Sequence, residues 1–117
     1  MTARVTASLW VSAHIRRCTV EGVTATVIRH GAEEAGQVLL KITHLGDGVF
    51  PLGATALQRV TMGDGSSGWM WLAGPDPIAE VEADARLARQ IEFDADAWVV
   101  EIEDRDGRHF LDEPIAG

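Results

Sequence analysis

Over residues 6–20, Ala7, Trp10, Val11, His14, Ile15 and Cys18 recur at i, i+3, i+4, i+7, i+8 and i+11, while Ser8, Ser12, Arg16 and Thr19 lie opposite. One apolar stripe of that width predicts an amphipathic helix laid on a core. Glu21-Gly22 ends it, because glycine enters the left-handed cap conformation at the least steric cost. The period then falls from 3.6 to 2. Residues 23–30 are rich in β-branched side chains, and in residues 37–45 Val38, Leu40 and Ile42 share a face, so both segments read as strands with residues 31–36 turning between them. A further strand over residues 55–62 is expected to pair back with 69–72 across the Gly-Ser tip 63–68.

Asp76-Pro77 reads as an N-cap followed by proline at the first helical position, and Ile78, Val81, Ala85 and Ala88 supply an apolar side for a second helix over residues 77–91. Glu82 and Arg86 stand four apart in the favourable order. Trp98-Val99-Val100-Glu101-Ile102-Glu103-Asp104 then alternates into an acidic turn ending at Gly107 and returns through His109, Phe110 and Leu111, which predicts a closing hairpin. The expected architecture is α+β: an N-terminal helix, a four-stranded antiparallel sheet, a second helix and a C-terminal hairpin, in one domain over residues 1–117.

Composition narrows the partners more than the chemistry. Hydrophobic residues make up 46% and charged residues 24% of the 117, the balance of a chain that folds around a core. A net charge of −8 opposes attraction to nucleic acid or to an anionic membrane surface. No apolar run approaches the roughly 20 residues of a membrane helix. The start, Met1, Thr2, Ala3, Arg4 and Val5, lacks the apolar centre of a signal peptide, so a cytoplasmic location is expected. Cys18 is the single cysteine, which rules out a disulfide within the chain and a cysteine metal cluster.

Six features invite a chemical reading. His14 and Cys18 share a helical face at metal-ligand spacing, but two ligands fall short of a site and both fit a core stripe; no metal and no cofactor are expected. Arg16 and Arg17 offer guanidinium forks for a phosphate or carboxylate, with Arg17 nearer the buried stripe and the many acidic residues as the bland partners. Glu101 and Glu103 project from one strand face about 7 Å apart. They suit either a cation, with Asp104, Asp106 and Asp112 near, or a wet face paired with Arg108. His109 titrates in the range of a general base, yet no nucleophile stands beside it in the chain. Trp69 and Trp71 fall on one strand face and either complete the core or form an apolar patch for association. The loop 63–68 has the composition of a phosphate cradle without its lysine or following helix.

Leu9-Trp10-Val11 with Arg16-Arg17, the strand ending Val27-Ile28-Arg29, and the string from Trp98 to Asp104 followed by Gly107-Arg108-His109-Phe110-Leu111 resemble the alphaproteobacterial family named domain of unknown function 1491. That resemblance covers nearly the whole chain and implies no activity, substrate or cofactor. Two functions follow from the residues. The first is a small non-catalytic interaction module that binds a protein partner or itself, as a homodimer, through a sheet edge or the Trp69 and Trp71 face. The second is a ligand-binding protein or enzyme with a pocket of Arg17, Glu101, Glu103 and His109.

Overall fold

The run Ala97-Trp98-Val99-Val100 offers no charged side to water, and a strand of that kind is stable only with cover on both faces. The computed structural model, which describes residues 5–116, buries this whole segment; of the first five residues it includes only Val5. The elements are α1 (Ala7–Val20), β1 (Thr24–Arg29), β2 (Val38–His44), β3 (Gly53–Thr61), β4 (Ser67–Trp71), α2 (Glu80–Phe93), β5 (Trp98–Asp104) and β6 (Ile115–Ala116). They form one six-stranded sheet in the order β1-β5-β2-β3-β4-β6. The sheet is mixed: β5 runs antiparallel to β1 and parallel to β2, β6 runs parallel to β4, and the remaining neighbours are antiparallel.

The α+β class stands, while the expected four-stranded antiparallel sheet and C-terminal hairpin are corrected. β5 slides between β1 and β2, so those two strands never pair, and residues 105–114 do not return beside β5. The cause lies in β5 itself, since Val100 and Ile102 are buried on one face and Val99 on the other. A strand in an outer hairpin would leave one of those faces wet. Residues 31–36 therefore cross the end of β5 instead of turning tightly. Ala32 N–H donates to the Asp96 carbonyl at 2.9 Å and the Trp98 indole N–H donates to the Ala32 carbonyl at 2.6 Å. Gly31 and Gly36 both lie against the Asp96 carbonyl, where a Cβ would collide with backbone.

α1 covers one face, seating Trp10, Val11 and Cys18 with Val38, Leu40, Ile42, Leu57, Trp69, Val100 and Ile102. α2 covers the other, where Leu87 meets Leu39, Ala56, Ala97 and Val99. Each fully covered Val, Leu or Ile is worth about 1.5–3 kcal/mol over an exposed one, so these two clusters dominate the folding energy. α2 starts later than expected: its N-cap is Ala79, which makes no side-chain cap, because residues just before it are held extended by the Ile78–Ala54 bridge. Its inward face is also rotated. Ala83 and Leu87 are buried and Val81 is 75% exposed, with Ala85 and Ala88 also outside. Arg86 donates to the Leu72 carbonyl at 3.3 Å.

Lys41 explains the rotation. It is 5% exposed in the middle of β2 and faces α2, where its ammonium reaches Glu80 at 2.8 Å, Asp84 at 2.8 Å and Glu101 at 3.7 Å. These partners hold it charged and push its pKa above the ordinary lysine value against the opposing effect of burial. Glu80, Ala83, Asp84, Leu87 and Ile91 occupy i, i+3, i+4, i+7 and i+11, a single helical stripe. Its first turn is acidic because the strand beneath it is not.

Beyond β5 the chain forms a strap over residues 105–114 that is tied down onto α1. The Asp104 carboxylate accepts the N–H groups of Asp106 at 3.1 Å and Arg108 at 2.8 Å, and the Arg108 guanidinium at 3.1 and 2.8 Å. Those bonds hold its carboxyl below the ordinary aspartate range. Gly107, at φ 73°, packs on the His44 ring where a Cβ would overlap it. His14 Nε2 donates to the His109 carbonyl at 2.8 Å, Arg17 donates to the Phe110 carbonyl at 3.0 Å and pairs with Asp112 at 2.7 Å, and Trp10 donates to Glu113 at 2.9 Å. Phe110 itself sits at φ 61°, a conformation that costs a bulky side chain energy and persists only where the surroundings enforce it.

Two outcomes follow for stability. Lys41→Met keeps the stem and removes the charge, leaving Glu80 and Asp84 to the solvent they half face; urea denaturation is expected to show a loss of about 1–3 kcal/mol, and an unchanged midpoint would show that the carboxylates do not anchor α2. Burial also pushes His14, His44 and His109 below the ordinary imidazole value. Their unfolded counterparts titrate near pH 6.5, so the unfolded chain takes up protons first, and the stability held above that pH is lost as pH falls below it. The melting temperature is expected to drop between about pH 7.5 and about pH 5.5. His14→Gln, whose amide can still donate to the His109 carbonyl, should flatten that slope.

Candidate functional site

The expected site residues separate onto the two faces of the sheet. Arg17 and His109 belong to the α1 side, where both serve the strap: Arg17 through Phe110 and Asp112, His109 through its carbonyl to His14 and its Nδ1, which accepts the Leu111 N–H at 2.9 Å. Trp69 is 0% exposed beneath Trp10, ring centroids 4.9 Å apart, so its ring cannot meet a partner in the folded protein. Trp71 is half-buried and meets the His109 ring edge-on, with ring centroids 6.1 Å apart. Cys18 is buried, with its thiol pushed up by desolvation, and His14 stacks on Trp10 at 4.6 Å. No group of three metal-ligating side chains occurs among the described residues.

Two hollows border α1 or the residues that lead into it. One of about 410 Å³ runs along the helix past Leu9, Trp10, Ala13, His14, Arg17 and Glu113. Another of about 350 Å³ is lined by Thr6, Glu34, Gln37, Arg59 and Asp94. Arg59 is itself buried and lies 5.8 Å over the Trp10 ring while donating to the Val5 carbonyl at 3.2 Å. The polar atoms around both hollows are thus largely committed to holding α1, the strap and the sheet together.

Glu101 and Glu103 point to the α2 side, away from Arg17 and His109. Their strand β5 pairs Thr26 with Glu101 and Thr24 with Glu103 on β1, and Lys41 with Glu101 and Thr43 with Glu103 on β2. Glu101 accepts the Thr43 hydroxyl at 2.8 Å and faces Lys41. The Glu103 backbone belongs to the ladders with β1 and β2, but its carboxylate makes no hydrogen bond or ion pair among the described residues. α2 packs on β2 and β3, which leaves Thr24 and Thr26 exposed and Glu101 and Glu103 half-exposed.

This open quadrant runs out to the rim of the sheet. β1 is the edge strand, six residues long, with exposed and half-exposed positions alternating. Its pairing with β5 is regular from Thr24 to Val27 and shifts register before Arg29, whose guanidinium is anchored on the Ala95 carbonyl at 2.9 Å. The opposite rim, β6, has two residues. A free strand edge presents backbone donors and acceptors to any extended chain that approaches. Thr24, Thr26 and Lys41 were not singled out from the sequence; Lys41 was legible as the single charge inside Val38-Leu39-Leu40-Lys41-Ile42, whereas the strand that stands behind β1 depends on where β5 lands.

Comparison with known proteins agrees with this geometry at the level of the fold. A family profile described as protein of unknown function (DUF1491) matches residues 5–112. No curated protein matches the chain. A crystal structure of a DUF1491 family protein from Caulobacter crescentus CB15 is 42% identical, with a TM-score of 0.80, over 97% of this chain and 100% of that one. An NMR structure of a DUF1491 family protein from the same organism is 40% identical, with a TM-score of 0.82, over 99% and 100%. A solution structure of a protein from A. tumefaciens is 28% identical, with a TM-score of 0.70, over 86% of each chain. These sources are alphaproteobacteria. The chain belongs to the DUF1491 family, whose function is unknown.

Proposed function

We propose that this protein is a cytoplasmic, non-catalytic interaction module that takes up an extended segment of a protein partner along β1. The observation that carries this reading is the six-residue edge of β1, which has no strand on its outer side among the described residues, beside a sheet quadrant that α2 leaves uncovered. Strand addition supplies affinity through main-chain hydrogen bonds and specificity through every second side chain. Thr24 and Thr26 favour an extended backbone, and their exposed side chains put little bulk in the way of a neighbour. Residues 24–29 hold no proline and no lysine, two residues that commonly block an edge. No described helix is long and apolar enough to cross a membrane, in keeping with a partner met in solution.

The alternative pocket draws no support from the geometry, because Arg17 and His109 lie across the sheet from Glu101 and Glu103. Self-association remains an outcome of the same experiment. Selection of random displayed peptides on the immobilised protein, followed by NMR mapping, is expected to yield binders that shift the backbone amides of residues 24–29. Thr26→Lys, a change on the exposed face of the edge, should abolish them without altering the melting temperature. Enrichment of peptides that instead map to the hollow along α1, or of none, would remove strand addition as the function.

A further inference from the structure

Resting on that reading of β1, we infer that the strand it accepts is basic, with arginine or lysine at alternate positions on the side facing the open quadrant. A strand added to β1 places every second side chain on the Thr24 and Thr26 side of the sheet. Those two threonines are short, and behind them, one strand further in, stand Glu103 and Glu101. The distance from the added strand to β5 is two strand spacings, about 10 Å, which a long basic stem can span together with an extended glutamate. Threonine hydroxyls and methyls form the floor such a stem crosses, and its methylenes lose little by lying on them.

The charges beneath that path are unbalanced. Lys41 is surrounded by Glu80, Asp84 and Glu101, so its one positive charge is shared among three carboxylates before Glu103 is considered. Glu103 adds a fourth carboxylate and has no partner among the described residues. On the same face Arg29 donates to the Ala95 carbonyl and keeps its charge, so two cations stand against four carboxylates. The whole chain carries −8, which repels a second copy of itself and steers a basic segment inward. Charge complementarity thus favours a basic partner over self-pairing at the same edge.

Three blocked octapeptides serve as probes: alternating Thr-Arg, Thr-Gln and Thr-Glu, titrated into the full chain and followed by the amide signals of residues 24–29. The Thr-Arg peptide is expected to shift those signals with an affinity roughly three- to tenfold above Thr-Gln, and the advantage should shrink as salt is raised. Thr-Glu should leave them unmoved. Glu103→Gln removes a carboxylate with no described hydrogen bond, so the fold should persist while the arginine preference falls. Equal binding of all three peptides at β1 would overturn the basic partner and leave strand addition standing. Failure of every peptide to shift residues 24–29 would overturn both, as would a concentration-dependent dimer that buries β1. Binding of Thr-Arg at Asp112 and Glu113 would overturn the inference alone.

Discussion

Everything in this fold waits on β5 entering between β1 and β2. Its residues are buried on alternate sides into both core clusters, so neither cluster is complete until the last third of the chain arrives. β5 pairs with a strand begun some 70 positions earlier on one side and 60 on the other. Such long-range closure is entropically costly and is repaid only by the full two-faced burial. The crossing at residues 31–36 shows how tightly that entry is shaped, since two glycines lie against the Asp96 carbonyl where any side chain would strike backbone.

Polar residues then decide what the apolar clusters leave open. Hydrophobic burial has no direction, and α2 could have laid either of two apolar stripes on the sheet. Lys41 selects one, because a buried ammonium without a partner costs far more than an alanine misplaced on a helix surface. Asp104 acts similarly at the end of β5, gathering two N–H groups and a guanidinium into one turn and aiming the strap at α1. Four side chains read from the sequence as candidate chemistry, His14, Arg17, Asp104 and His109, are accounted for by these internal bonds.

Much of this was legible in the sequence. The stripe of α1, the existence of β2, β3 and β4, the Gly-Ser tip and the common face of Trp69 and Trp71 all follow from local periodicity. What local periodicity cannot encode is the neighbour of a strand. The acidic turn ending at Gly107 has hairpin composition, but its carboxylates and glycine serve Asp104 capture and contact with His44, and nothing in residues 98–111 alone distinguishes the two. The register of α2 was obscured for a related reason: its inward stripe begins with Glu80 and Asp84, which look like solvent residues until Lys41 is placed beneath them. Glu101 and Glu103 were correctly paired on one face, while their place beside the β1 rim was invisible because β5 was expected in a separate closing hairpin and not between β1 and β2.

The asymmetry of the two faces is what gives the open quadrant its meaning. A helix about 10 Å across spans about two strands at 4.8 Å spacing, so one helix cannot cover a six-stranded sheet. On the α1 side the strap, with Phe110, Leu111 and Ile115, extends the cover, and the positions beneath are apolar. On the α2 side nothing among the described residues extends it toward β1, and there the strand positions change to Thr24, Thr26, Glu101 and Glu103. The composition of each position thus follows its cover in the free chain. What water alone does not require is that the uncovered corner should adjoin a six-residue edge of β-branched character, while the opposite rim is cut to two residues. A sheet that merely needed a wet face could have ended both rims short; this one ends one rim short and keeps six residues at the other, with the register shift confined to its last positions.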